Sequence, residues 1–150
     1  MKKVAVFNPY WDSLGGGERY TASFIALMLR LGWQVDVQWQ SNISEEVSSR
    51  FGVDITGANF VSTISFSDYQ LLFWVSDGSL PTSFASKTII HFQFPFKDIG
   101  GMKLTNLLKS RFYTFVANSH FTKSFIDSEF GVDCHVIYPP IRTSLFTPGA

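Results

Sequence analysis

The sequence predicts a doubly wound, mainly parallel α/β sheet, and three observations predict it. Short apolar runs at residues 4–7, 71–75 and 114–117, the last opening on Thr114, read as strands covered on both faces. Segments with helical period lie between them, and Gly, Pro, Asn and Asp punctuate the transitions. A chain of 150 residues, 45% hydrophobic and 16% charged, can build one domain with a real core and is short for two. Lys+Arg and Asp+Glu both total 12, so no net field steers the chain toward nucleic acid, which is not expected as a partner. The single cysteine excludes an intramolecular disulfide and fits cytoplasmic residence. Met1-Lys2-Lys3 opens like a signal peptide, but the apolar run after it stops at Asn8-Pro9, too soon for one or for a membrane span. No later stretch is long enough to span, so any membrane contact is expected to be peripheral.

The first strand, residues 4–7, ends at Asn8-Pro9. From 18 to 30 the residues Tyr20, Phe24, Leu27, Met28 and Leu31 recur at helical spacing, and Gly32 sits where a terminating glycine belongs. Residues 33–39 alternate, with Val35, Val37 and Trp39 on one side and Gln34, Asp36 and Gln38 on the other, as in a strand near the sheet edge. Residues 44–50 form a short helix closed by Phe51-Gly52. The stretch 53–68 carries little signal beyond a strand candidate at 59–64. Residues 71–75 are a strand stopped by Ser76-Asp77-Gly78, and 88–92 another that runs on to Pro95. Gly100-Gly101 precedes a helix over 102–112, with Leu104, Leu107, Leu108 and Phe112 on one side. After the strand at 114–117, Asn118-Ser119 can cap a helix over 121–130 that Gly131 ends. A last strand at 135–138 is broken by Pro139-Pro140, and residues 141–150 have no period and read as a linker or a cut end.

Ligands of such sheets sit beyond the carboxyl ends of the strands. That rule gathers Asn8, the loop Leu14-Gly15-Gly16-Gly17-Glu18-Arg19-Tyr20, Asp77, His91 and Asn118-Ser119 at one edge. Three glycines before a helix let the backbone take positive φ and leave N–H groups uncovered by side chains. The helix dipole and the unpaired first-turn N–H groups favour negative charge, so a phosphate or pyrophosphate is the natural ligand. The loop has neither the G-x-G-x-x-G spacing nor a Gly-Lys-Ser/Thr ending, and a surface turn is the alternative. His91 reads as a cleft imidazole or as a core histidine with a backbone partner. Asp77-Gly78 reads equally as a turn pair, Asn118-Ser119 as a helix cap, and Glu18 and Arg19 as first-turn and surface charges. Cys134 and His135, adjacent on a strand, point to opposite faces and make no dyad; His91, His120 and His135 show no zinc spacing, so no metal site is expected. Lys97, Lys103, Lys109 and Arg111 alternate with Phe96, Met102, Leu104, Leu107 and Leu108. Such a helix either docks on an anionic membrane or simply covers the sheet.

Asn8-Pro9-Tyr10 followed by Gly15-Gly16-Gly17-Glu18-Arg19, then His91 with Pro95 soon after, Asn118-Ser119-His120-Phe121-Thr122, and Val136-Ile137-Tyr138-Pro139-Pro140 resemble glycosyltransferase family 4 of the GT-B fold. The nearest flavour is the mannosyltransferase type that extends lipid-linked oligosaccharides. The resemblance covers essentially the whole chain, as the N-terminal half of such an enzyme. It implies a Rossmann-like, acceptor-side domain over residues 1–140, the start of an interdomain linker over 141–150, and a nucleotide-sugar-binding C-terminal domain outside this sequence. It further implies transfer of a sugar from a nucleotide-diphosphate donor to a hydroxyl of a glycan or lipid-linked acceptor, with retention and with no cofactor or required metal. Gly15, Gly16 and Gly17 match the loop that approaches the donor diphosphate. His91 matches a position that places the sugar or acceptor near the reacting carbon. Asn8, Asp77, Asn118 and Ser119 match less specific places on the acceptor side and cleft rim, and Lys97, Lys103 and Lys109 would face a membrane. Alone, the chain is expected to transfer little or no sugar. The rival expectation is a free-standing Rossmann-like binding module without transferase activity.

Overall fold

The computed structural model describes residues 1–65 and 67–143. Strands and helices alternate along the described chain: β1 (Lys3–Phe7), α1 (Gly16–Arg30), β2 (Gln34–Gln38), α2 (Ser44–Phe51), β3 (Asn59–Val61), β4 (Leu71–Val75), β5 (Lys87–Phe92), α3 (Leu104–Ser110), β6 (Tyr113–Ala117), α4 (His120–Phe130) and β7 (His135–Val136). The strands join one sheet in the order β3-β2-β1-β4-β5-β6-β7, and every pairing is parallel. The order reverses between β1 and β4, which is the switch point of a doubly wound, Rossmann-like fold.

Register decides which side chain faces which helix, because alternate residues of a strand face opposite sides. Val4 and Val6 lie beside Leu71 and Phe73, Phe73 beside Ile89, and Val75 beside His91. That face packs against α1 and α2, where Tyr20, Ile25, Met28 and Val47 share one buried cluster with Val4, Val6, Phe73 and Val75. The opposite face carries Ile90, Phe92, Phe115 and Ala117 against Ile126 and Phe130 of α4. His91 is therefore turned toward α1, while its neighbours in sequence are turned toward α4. Gly52 and Gly131 close α2 and α4 in the left-handed region, each at φ 64°, and the Ser119 hydroxyl caps α4 by accepting the Thr122 N–H at 3.1 Å.

Several elements depart from the sequence reading. β2 lies near the sheet edge as expected, but its polar residues do not all face water. β3 pairs outside it, over a shorter span than 59–64, and Asp36 is buried. A buried carboxylate needs donors, and here the Tyr69 hydroxyl and the Asn59 amide supply them, both at 2.9 Å. Burial, with the Asp36 bond, pushes the Tyr69 hydroxyl up to about 12. In α1 the expected apolar stripe shifts: Leu27 and Leu31 are exposed, and Ile25 takes the core position. β7 covers only two of the four residues expected of it. α3 is shorter than 102–112 and none of its residues is fully buried; Leu107 is half-buried against the end of α4 while Leu104 and Leu108 are exposed. The loop ahead of it hangs on Glu129, whose carboxylate accepts the N–H groups of Asp98, Ile99 and Gly101 at 2.8–3.1 Å. Those backbone donors, Gly101 foremost, hold that carboxyl below its ordinary range. Among the described residues no helix is long and apolar enough to cross a membrane. Of the tail expected over 141–150, residues 144–150 lie outside the described residues, as does Phe66.

Candidate functional site

A cleft of about 500 Å³ opens where the start of α1, the residues following β5 and the segment 139–141 meet. Its size suits a small organic ligand. Gly15, Gly16, Gly17, His91 and Asn118 line it, so the structure brings together five of the residues singled out from the sequence. Tyr10, Arg19, Tyr20, Gln93 and Phe94 complete most of the remaining wall.

The glycines serve the loop differently from the expectation. None of them takes positive φ; the left-handed residue is Leu14, at φ 44°. Space is the constraint instead. A Cβ on Gly17 would lie 1.6 Å from Gln93 Oε1, whereas a Cβ on Gly16 would meet nothing within 4 Å and would stand in the open. Gly16 and Gly17 are the first two residues of α1, so their N–H groups have no carbonyl to bond within the helix. Arg19 lies one turn on, at the same wall.

Glu18 holds this loop in place. It was expected at the surface but is buried, and its carboxylate accepts the Gly15 N–H and the Ser13 hydroxyl, both at 2.7 Å, with the Asn8 amide at 3.4 Å. Asn8 is buried too. Its amide also donates to the Thr21 hydroxyl at 3.0 Å, and its carbonyl accepts the Tyr10 N–H at 2.9 Å. Its polar atoms are thus committed behind the loop, and Asn8 builds the site without lining it.

His91 sits at the β5 end with no accessible surface. Neither ring nitrogen has a hydrogen-bond partner among the described residues, so the expected alternative of a core histidine tied to the backbone does not hold. Its ring stacks on Tyr20 at 4.1 Å between centroids and on Phe73 at 5.6 Å. Burial drives the imidazole down to about 3, so it is neutral at physiological pH. A buried polar group left without partners calls for an explanation, and a ligand group supplied from the adjoining cleft is one.

Tyr20 links this imidazole to the far wall. Its hydroxyl donates to the Ile137 carbonyl at 3.2 Å, just ahead of the Pro139, Pro140 and Ile141 that border the cleft, and burial pushes it up to about 12. Tyr20→Phe keeps the ring over His91 and removes only that bond. It should cost about 1 kcal/mol, read as a lower urea midpoint with an unchanged slope. No change would mean that the hydroxyl does not hold the segment.

The other expected rim residues divide. The Asn118 amide donates to the Gln93 carbonyl at 3.0 Å and its oxygen accepts the Thr122 hydroxyl at 2.8 Å, so it fixes the chain after β5 while lining the cleft. Ser119 is occupied as the α4 cap. Asp77 is exposed, is not part of the cleft wall, and accepts the N–H and hydroxyl of Ser79 in a turn. Lys97 and Lys103 are exposed, and Lys109 turns inward to donate to the Leu80 carbonyl at 3.1 Å. Sequence reasoning placed Tyr20 in the loop at the site edge but gave it no role beyond an apolar helical position, and it passed over Gln93, whose side-chain nitrogen is buried with no partner among the described residues. The available signals were a hydroxyl-bearing ring on the first turn after the glycines, and an amide two residues past the histidine. Among the described residues no cluster of three or more His, Cys, Asp or Glu is arranged to hold a metal ion.

The arrangement can seat an anion against the start of α1 and offer a neutral imidazole and an amide to a neighbouring polar group. No family model, curated protein or solved structure matches this chain, so the cleft is read from its own geometry.

Proposed function

We propose that this chain is the acceptor-side domain of a sugar-nucleotide-dependent glycosyltransferase of the GT-B type, family 4 in character. It would move a hexose, mannose foremost, from a nucleotide diphosphate to a hydroxyl of a glycan or lipid-linked acceptor on the cytoplasmic side of a membrane, with retention. What supports this most is the meeting, in one cleft at the strand ends, of an anion-ready helix start and an unpartnered neutral imidazole. The departing diphosphate gathers negative charge in the transition state. The N–H groups of Gly16 and Gly17 are fixed dipoles that need no reorganisation to meet it, and Arg19 adds a cation to the same wall. His91, neutral, can accept from or donate to a sugar hydroxyl without bringing a second charge. Gln93 offers an amide donor beside it. In this reading the nucleotide is held mainly by a further domain outside this sequence, and the chain alone transfers little or no sugar.

Amide NMR of the chain during titration with inorganic pyrophosphate tests the anion site. Saturable shifts centred on Gly16 and Gly17 are expected, weakening as salt is added. Shifts scattered over the surface lysines, or none, would overturn it. The rival reading, a binding module that has lost the chemistry, draws on the seclusion of the His91 nitrogens from solvent. Transfer of labelled sugar from a nucleotide-diphosphate hexose by the native full-length polypeptide separates the two, since a binding module transfers none.

A further inference from the structure

Three buried nitrogens in the cleft wall have no partner among the described residues: both of His91 and the side-chain nitrogen of Gln93. The two residues stand two apart at the end of β5 and beyond it, on the side away from Phe92, which packs toward α4. The Gln93 carboxamide lies against the start of α1, since the three atoms nearest to where a Cβ on Gly17 would stand are its Oε1, Cδ and Nε2. Its main chain is pinned, because the Gln93 carbonyl accepts the Asn118 amide at 3.0 Å. What can turn is the side chain. Neither residue brings a charge, the imidazole being neutral at physiological pH. An amide nitrogen only donates, and a neutral imidazole donates at one nitrogen and accepts at the other. That set matches hydroxyl groups. A charged group placed against these nitrogens would give up its water without gaining a counter-charge from them.

We infer that Gln93 is the specificity-determining residue of the cleft: its amide donates to an oxygen of a neutral sugar whose phosphate sits on the Gly16 and Gly17 N–H groups, so that a sugar phosphate is held in preference to a bare anion. The inference rests on the anion site proposed above and adds to it the group that reads the sugar. Position assigns the role to Gln93. A ligand whose phosphate sits at Gly17 brings its next atoms against the carboxamide lying on that glycine, and the new bond satisfies a nitrogen otherwise buried without a partner.

NMR titration of the chain with mannose 1-phosphate and, separately, with inorganic phosphate tests it. Both probes carry a phosphate, and only one carries a sugar. Mannose 1-phosphate is expected to bind about tenfold more tightly, the worth of one hydrogen bond to a donor otherwise left buried and unpaired. The side-chain NH2 resonances of Gln93 should move with mannose 1-phosphate and stay in place with inorganic phosphate. Gln93→Met keeps the length of the side chain and removes the amide, so it should erase most of the tenfold preference. That preference is a ratio within one protein, which a general loss of stability does not imitate. Equal affinity of the parent for the two probes, NH2 resonances indifferent to the sugar, or a preference that survives in Gln93→Met would overturn the inference and leave the anion site standing. If neither probe shifts Gly16 and Gly17, the anion site falls and the inference falls with it.

Discussion

Replacing His91 with leucine should leave a folded protein that resists acid better than the parent and has lost the chemistry of its cleft. The imidazole is fully buried, stacked on Tyr20 and on Phe73, and without partners for either nitrogen among the described residues. Exchanging such a group for an apolar side chain removes a desolvated polar group and opens no hydrogen bond, so the change at neutral pH should stay within about 1.5 kcal/mol. The pH dependence carries the larger signal. Burial lowers the folded imidazole to about 3, while the unfolded one titrates near the ordinary 6.5. As pH falls below 6.5 the unfolded chain takes up a proton that the folded chain refuses, so the parent loses stability progressively down to the folded value. At 1.36 kcal/mol for each pH step, the parent should lose about 2.5 kcal/mol relative to His91→Leu between pH 6.5 and 4.5. Carboxylates titrating over the same range affect both proteins and cancel in the difference. Urea midpoints of the two proteins at neutral and acid pH measure it, and parallel pH profiles would show that the imidazole protonates freely in the folded state. In the native full-length polypeptide, the same substitution should lower sugar transfer by about 100-fold or more if His91 handles the reacting hydroxyl.

The sheet was legible because its central strands are buried on both faces and therefore contain almost nothing but apolar residues. Leu71 to Val75 is such a strand, and so are the last residues of β6. Helix ends were legible where the backbone demands glycine, as at Gly52 and Gly131. What failed was the assumption that polar means exposed and apolar means covered. Asp36 is buried because donors far away in sequence, Tyr69 and Asn59, come to it through the fold, and Glu18 because the loop ahead of it folds back to bring Asn8 and Ser13 to its carboxylate. Leu104 and Leu108 keep helical spacing but face outward, since period reveals that a stripe exists and not what it meets. In the cleft, the sequence located the glycines, His91 and Asn118 by the strand-end rule. It could not show that Tyr20 lies over His91, because that contact depends on where α1 crosses the sheet.

Gly16 and Gly17 separate the two reasons a protein can have for glycine, room for itself and room for a ligand. A Cβ at Gly16 meets nothing, and alanine suits a helix better than glycine by up to about 1 kcal/mol, so Gly16→Ala should fold at least as stably as the parent. Yet that methyl would stand in the cleft beside the first-turn N–H groups, and it should weaken pyrophosphate binding tenfold or more if the anion approaches the backbone there. Unchanged affinity would mean that the glycine serves the turn alone. Gly17 is a different case: its Cβ would fall among the Oε1, Cδ and Nε2 atoms of Gln93, at 1.6, 2.3 and 2.5 Å. That carboxamide is the end of a flexible side chain and can swing away, so Gly17→Ala should be destabilising by about 1–3 kcal/mol without unfolding the protein. Because the cost comes from one named neighbour, it should shrink when Gln93→Ala is made in the same chain. A double-mutant cycle of chemical denaturation should then give a coupling of about 1 kcal/mol or more between the two positions. Strict additivity would place the strain elsewhere, in the backbone of the first turn, and would remove Gln93 from the wall that shapes the start of α1.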